Sequence, residues 1–144
     1  MNTYVKRISA EKGRGVFAAK DFSIDEVILE DHVVPFGSNM MQYAFSLKPA
    51  AMQQFMETMR PLVQYMLAWP KDRSGLAIPA GHSIFLNHSY SPNVKYEKDY
   101  DNLLFRVRCI RPITKDEELQ FNYTGDPGSK TPLSYPFENM PILP

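Results

Sequence analysis

The residues of this chain best suited to chemistry form three short constellations. Asn87 and His88 follow the apolar run Ile84-Phe85-Leu86 and lead into the turn formers Ser89-Tyr90-Ser91-Pro92-Asn93. A polar bend there leaves two hydrogen-bonding side chains at the tip of an apolar element. Downstream, Glu117-Glu118-Leu119-Gln120-Phe121-Asn122-Tyr123 spaces Leu119, Phe121 and Tyr123 in period two. That pattern predicts a strand whose buried face ends in a phenol. A phenol with a pKa near 10 is a poor base at neutral pH and a good hydrogen-bond partner, so Tyr123 suits orientation of a reactant better than proton removal. In Lys12-Gly13-Arg14-Gly15-Val16-Phe17, two glycines let the backbone come close to a ligand. This is not a dinucleotide fingerprint, because no third glycine follows at the required spacing and Val16-Phe17-Ala18 reads as strand. No phosphate-binding Gly-Lys-Ser/Thr occurs either, which argues against nucleotide triphosphates.

Each constellation also has a plainer reading. Tyr123 fits a core tyrosine at a strand end, Asn87 and His88 a turn asparagine with a satisfied buried histidine, and the glycines an ordinary hairpin turn. Asn87-His88-Ser89 and Asn122-Tyr123-Thr124 match the glycosylation acceptor pattern, which carries no weight without a secretory signal.

The elements that must position these residues change character along the chain. Tyr4 to Ile8, Val16 to Ala18, Val27 to Leu29 and Val33 to Phe36 are strand-like by length and β-branching. From Pro49 the apolar spacing becomes three and four, through Met52, Phe55, Met56, Met59, Leu62, Val63, Met66 and Leu67, which predicts an amphipathic helix. Pro61 should kink or divide it near Arg60, and Pro70 should stop it. Strands are expected again at Leu76 to Ile78, Ser83 to Leu86, Val94 to Tyr96, Leu103 to Ile110 and Leu119 to Tyr123. The bottom-up architecture is mainly β, small antiparallel sheets with one helical insert. No internal repeat or second-domain linker stands out.

In this order, the glycine pair, the turn Asn87-His88-Ser89-Tyr90-Ser91-Pro92-Asn93 and the strand Glu118-Leu119-Gln120-Phe121-Asn122-Tyr123 resemble the three signatures of the SET domain of protein-lysine methyltransferases. The resemblance covers about Lys6 to Thr124, with a variable insert in the middle. It implies a SET, or β-clip, fold in which the last strand threads knot-like beside the Asn-His turn. It further implies methyl transfer from S-adenosylmethionine to a lysine amine in a protein or peptide, a histone tail being the obvious family substrate. By this resemblance Tyr123 is the catalytic tyrosine. Lys12, Gly13, Arg14, Gly15, Phe85, Asn87, His88 and Phe137 hold the cofactor, and Tyr96 and Phe121 line the lysine channel. Tyr96 fits a plain cross-strand packing role equally well. Its neighbours Lys95, Glu97 and Lys98 read as solvated.

Three departures stand against the family pattern. Asn122 replaces the usual Asp, Tyr90 stands where cysteine is common, and Leu29-Glu30-Asp31-His32 holds no aromatic where many members have a channel tyrosine. His32 either substitutes for it or is an exposed loop residue, and the loop is favoured. The charges Lys115-Asp116-Glu117-Glu118 read most simply as a solvated turn. A non-catalytic peptide- or cofactor-binding module is the competing function, and methylation of a small amine a third.

At 144 residues the chain is expected to form a single SET-like domain: N-terminal strands at 1–36, a helical insert at 37–75, a catalytic core at 76–124 and a tail at 125–144. Sixteen basic residues balance sixteen acidic ones, so direct nucleic-acid binding is not expected. A single Cys109 supplies neither an internal disulfide nor a cysteine-rich zinc cluster, and Gly125 to Pro144 holds no cysteine. The expectation is therefore no structural metal, with Tyr135 and Phe137 of the tail packing over the site. The N-terminus lacks a signal-peptide h-region and no run reaches membrane-spanning length. A soluble, intracellular protein is expected, cytoplasmic or nuclear, or inside a host cell if a pathogen delivers it. Six of the eight methionines fall between Met40 and Met66, which suits a buried helix face or, alternatively, a homodimer surface.

Overall fold

The computed structural model describes residues 1–36, 42–43, 46–63, 65–69 and 75–133. In chain order the elements are β1 (Thr3–Ser9), β2 (Gly13–Ala18), β3 (Val27–Phe36), α1 (Pro49–Val63), β4 (Leu67–Trp69), β5 (Gly75–Pro79), a 3-10 turn at His82–Phe85, β6 (Asn87–His88), β7 (Val94–Asp99), β8 (Leu104–Cys109) and β9 (Glu118–Phe121). They build two sheets, ordered β1-β2-β9-β6 and β4-β5-β3-β8-β7. Period two explains the strands. β8 buries Phe105, Val107 and Cys109 and turns Arg106 and Arg108 outward. These arginines pair with carboxylates of the flanking strands, Arg106 with Glu30 and Asp99, Arg108 with Glu97.

One hydrophobic core draws on both sheets, with Val16, Ile28, Val94, Phe105, Val107, Ile113 and Leu119 almost fully buried. Two similar turns lead the chain into β3 and β9. Phe22 and Ile113 exchange backbone hydrogen bonds of 2.8 and 3.0 Å, and each is followed by a left-handed aspartate, Asp25 (φ 69) or Asp116 (φ 68). In each turn a glutamate closes back on the backbone, Glu26 on the Ser23 N–H and Glu117 on the Thr114 N–H.

The last strand enters the first sheet between the N-terminal hairpin and the Asn-His strand. β9 runs antiparallel to β2 (Val16 opposite Leu119) and parallel to β6 (Asn87 opposite Gln120, His88 opposite Phe121). The SET architecture expected from the motifs is the one observed.

Several local expectations need correction. The two strands expected at Val27–Leu29 and Val33–Phe36 are one long strand, β3, irregular in register between Val27 and Leu29. The helix is shorter than its apolar spacing, because Leu67 to Trp69 pair with β5 (Leu67 opposite Ala77, Trp69 opposite Gly75) and Trp69 is buried there. Sheet pairing overrides helical periodicity. Pro61 does not divide α1, since it falls in the last turn, where few helical hydrogen bonds remain to be lost. The methionine stripe is not a buried face either: Met52, Phe55, Met56 and Met59 are half-buried and Leu62 is 50% exposed. Ser83 to Leu86 is not a strand. Asp31 accepts from the Ser83 N–H at 2.8 Å, Leu86 N–H bonds back to Ser83 O, and the segment winds into a 3-10 turn. Finally, His32 is exposed on β3, not in a loop.

Candidate active site

The parallel pairing of β6 and β9 sets the Asn-His tip beside the end of the last strand. His88 is 5% exposed. Its Nδ1 accepts the backbone N–H of Tyr123 at 3.0 Å, which assigns the ring proton to Nε2. Burial lowers the imidazole pKa, so the ring is neutral. Nε2 is itself buried and has no hydrogen-bond partner among the described residues. The rings of Tyr90 and Tyr123 meet His88 edge-on, with centroids 4.6 and 5.2 Å away.

Strand β9 ends at Phe121, so Tyr123 lies just past it and not on its buried face as the alternation predicts. Asn122 makes the exit turn. Its side-chain oxygen accepts from the Thr124 N–H at 3.0 Å and hydroxyl at 2.9 Å, while its amide donates to Ser129 O at 2.8 Å. A carboxylate has no N–H for the Ser129 bond, which gives a physical reason for Asn in place of the usual Asp. Gly125 follows with φ +87, and an added Cβ would stand 2.7 Å from the Tyr96 hydroxyl. The backbone therefore comes close to Tyr96 only because this residue is glycine.

Tyr123 opens on a cavity of about 220 Å3. Its hydroxyl donates to the carbonyl of Leu86 at 3.2 Å. Tyr96, Phe105 and Phe121 form an aromatic wall: Tyr96 stacks on Phe105 (5.1 Å) and meets Phe121 edge-on (5.3 Å), and Phe121 contacts Tyr123 (5.1 Å). Tyr65, Met66 and Leu67 also line the cavity, from the insert. Burial raises the Tyr123 phenol well above its ordinary pKa, with Tyr65 and Glu118 adding to the effect. At neutral pH it is a hydrogen-bond donor and no base.

The glycine hairpin lies across β9 from the Asn-His strand, and the Asn87 side chain reaches over to it. Glu118 of β9 pairs with Lys12 at 2.9 Å, with side chains only 16% and 6% exposed. The Asn87 amide donates to Glu118 at 2.9 Å and to Arg14 O at 3.0 Å. Gly15 is buried beneath them, and an added Cβ would meet Ile8 Cδ1 at 2.6 Å, Glu118 Oε1 at 2.7 Å and Asn87 Nδ2 at 3.2 Å. Gly13 heads β2 with φ +76. The Arg14 guanidinium lies over the Phe85 ring, 5.3 Å from its centroid.

The structure thus brings Lys12, Arg14, Gly15, Phe85, Asn87 and His88 together, and Tyr96, Phe121 and Tyr123 around one cavity. Phe137 and Tyr135 lie outside the described residues, and His32 does not line the cavity. Cys109 offers no nucleophile, since it is buried and its thiol is pushed up to about 11, chiefly by burial. Among the described residues no cluster of His, Cys, Asp and Glu side chains is arranged to hold a metal, and no helix is long and apolar enough to cross a membrane.

Sequence reasoning missed three residues. Tyr65 was hidden by reading the whole insert as one helix. Glu118 disappeared into a supposedly solvated charge run, although period two from Leu119 already places it in the strand. Only Lys115 and Asp116 of that run are exposed; Glu117 bonds Asn93 and Arg111. Lys98 was grouped with its solvated neighbours, yet it lies two residues beyond Tyr96, on the same face of β7, and lines the cavity.

A model of the SET domain family matches residues 13–124. Among solved structures, the chain is similar to a candidate histone methyltransferase of Plasmodium falciparum, with 25% identity and a TM-score of 0.57 over 85% of this chain and 92% of that one. It shares its fold with a chain in a humanized mutant of the Chaetomium thermophilum Polycomb Repressive Complex 2 bound to an inhibitor, at 19% identity and TM-score 0.59, covering 84% of this chain and 14% of that one. A chain of an active polycomb repressive complex 2 in the basal state matches at 19% identity and TM-score 0.56, covering 86% and 15%. No curated protein matches the sequence significantly. Family and neighbours together support a methyltransferase. The chain belongs to the SET domain family.

Proposed function

We propose that this protein transfers a methyl group from S-adenosylmethionine to the side-chain amine of a lysine in a protein or peptide. One observation carries the reading: Tyr123 presents a protonated phenol to an aromatic-walled cavity while its backbone is bonded to His88 of the Asn-His strand. One feature fits the cofactor: His88 Nε2 is a buried donor without a partner among the described residues. Lys12, Gly13, Arg14, Gly15, Phe85, Asn87 and His88 would hold the cofactor. When bound, S-adenosylmethionine supplies an electrophilic methyl on a sulfonium sulfur.

The residues of the chain supply alignment and a neutral nucleophile. Free lysine has a pKa of about 10.4, and the apolar wall of Phe105, Phe121 and Leu86 disfavours its charged form. Tyr123 orients the amine through its hydroxyl, and the proton leaves to solvent. Phe121 and Tyr96 set the room available at the nitrogen. The substrate lysine would sit in an extended segment, because backbone pairing at a sheet edge gives affinity while the cavity selects the side chain. A histone tail is the family expectation. We read residues 1–144 as one SET-like domain, with a homodimer through the half-buried methionine stripe as a further option.

A non-catalytic binding module is the second reading, motivated by the missing aromatic on β3 beside His32. Tyr65 weighs against it, because it brings an aromatic to the cavity from the insert. The test is transfer of labelled methyl from S-adenosylmethionine into a mixture of histones and other lysine-rich proteins by wild type and Tyr123→Phe. Label on lysines that falls by about 100-fold in the mutant is expected, the order of loss that misplacing a reactant produces. Cofactor binding with no transfer by wild type favours the module, and neither binding nor transfer in folded protein overturns both.

A further inference from the structure

The 3-10 turn at His82–Phe85 and its closing residue Leu86 bring Ser83, Ile84 and Leu86 onto the cavity wall. The Leu86 carbonyl is also the group to which the Tyr123 hydroxyl donates at 3.2 Å. A hydroxyl hydrogen turns toward its acceptor, so the place of this carbonyl governs which way the phenol faces. The turn begins on Gly81, which occupies the cap position and has no side chain to accept from the first N–H groups.

The missing acceptor comes from β3. Asp31 Oδ2 accepts the Ser83 N–H at 2.8 Å, the bond that a capping side chain ordinarily makes to the second residue of a helix. Leu86 N–H closes back on Ser83 O at 3.2 Å, so the capped residue and the carbonyl that receives Tyr123 belong to one hydrogen-bonded unit. Glycine is required for this approach. The extended backbone of Gly81 suits any residue, yet an added Cβ would collide with the Asp31 carboxylate. Thr3 of β1 holds the same turn from the other sheet, its hydroxyl 2.7 Å from His82 Nδ1. Leu29 to His32, the stretch of β3 without a channel aromatic, thus supplies a cap, and Asp31 pairs there with Phe105 of the cavity wall.

We propose that Asp31 is a positioning residue: by capping the 3-10 turn it fixes the Leu86 carbonyl, and through that carbonyl the direction of the Tyr123 hydroxyl. For its effect on turnover the inference rests on the methyltransferase reading. Ser83 is 5% exposed, so its N–H has little access to water once the carboxylate is gone. A buried N–H that loses its acceptor is destabilising, and the turn is expected to move until the group finds another, taking Leu86 with it.

The test compares wild type with Asp31→Ala, which removes the acceptor, Asp31→Asn, which keeps one, and Gly81→Ala, which keeps the carboxylate but pushes it off Ser83. Gly81→Ala carries the comparison if Asp31→Ala does not fold. Two readouts are taken: the rate of label transfer from saturating S-adenosylmethionine into a histone mixture, and the NMR resonance of the isotope-labelled Tyr123 ζ-carbon, assigned as the signal lost in Tyr123→Phe. Asp31→Ala and Gly81→Ala should each lower the rate by about tenfold, the worth of one hydrogen bond, and shift the Tyr123 resonance. Asp31→Asn should stay within about threefold of the wild-type rate with the resonance in place. A Tyr123 resonance that does not move in Asp31→Ala or Gly81→Ala overturns the inference, and transfer by wild type then leaves the methyltransferase reading standing. An equal shift in Asp31→Asn overturns it too. If no protein transfers label, wild type included, but the resonance moves in Asp31→Ala and Gly81→Ala and not in Asp31→Asn, the methyltransferase reading falls while the positioning role of Asp31 holds.

Discussion

The backbone N–H of Tyr123 donates to Nδ1 of His88 at 3.0 Å, so the residue read as catalytic is anchored through the imidazole of the Asn-His strand. The bond requires an unprotonated Nδ1, and burial keeps it so by lowering the ring pKa. Above the unfolded value of about 6.5, neither state is protonated and His88 adds no pH dependence. As pH falls below that value the unfolded chain takes up the proton first, and stability declines by at most about 1.4 kcal/mol per pH unit until the folded pKa is passed. Carboxylates whose pKa is lowered, Glu26, Glu97, Asp99 and Glu117, act only below about pH 4.5. Thermal melts between pH 6.5 and 5 should therefore show a decline in wild type that flattens in His88→Asn, which keeps an acceptor but cannot titrate. An equal decline in both proteins would assign the effect elsewhere.

Lys12 and Glu118 are both mostly buried, and Glu118 also receives the Asn87 amide. Removing one member leaves an uncompensated charge between the glycine hairpin and β9. Lys12→Met is expected to destabilise the fold by about 3 kcal/mol, and the double change Lys12→Met with Glu118→Leu to recover part of that loss. Denaturant unfolding of the two single variants and the double variant gives the coupling. By the family resemblance Lys12 through Gly15 would hold the methionine end of the cofactor, so the same single changes should weaken S-adenosylmethionine binding by calorimetry more than 5′-methylthioadenosine binding. Equal weakening of both ligands argues against that assignment.

Tyr65 stands where no residue of β3 does, with its ring 6.2 Å from Phe85 and its side chain on the cavity wall. Replacing it by Ala enlarges the cavity without touching the β strands. Product analysis by mass spectrometry should then show a larger share of di- and trimethyl-lysine than wild type makes, with kcat/KM for the first methylation down by about tenfold, as expected from loss of a positioning contact. An unchanged product distribution would show that Tyr65 only packs.

What the sequence by itself determined about this protein is local. Paired glycines, a polar turn after an apolar run and a period-two strand are set by backbone conformation and side-chain alternation over fewer than about ten residues. They are enough to read the SET architecture and the Asn-His tip. What only the tertiary structure decided depends on which distant segments meet. Leu67 to Trp69 are strand and not helix because β5 offers them hydrogen-bonding partners. Tyr65 reaches the cavity because that pairing carries the end of the insert there. Glu118 is an ion-pair partner and not a solvated charge because β9 inserts beside β2, bringing it to Lys12. Lys98 meets Ala68 although they lie on β7 and β4, the two outermost strands of the five-stranded sheet. Sheet twist accumulates across strands, so such contacts between strands far apart in the chain have no short-range signature.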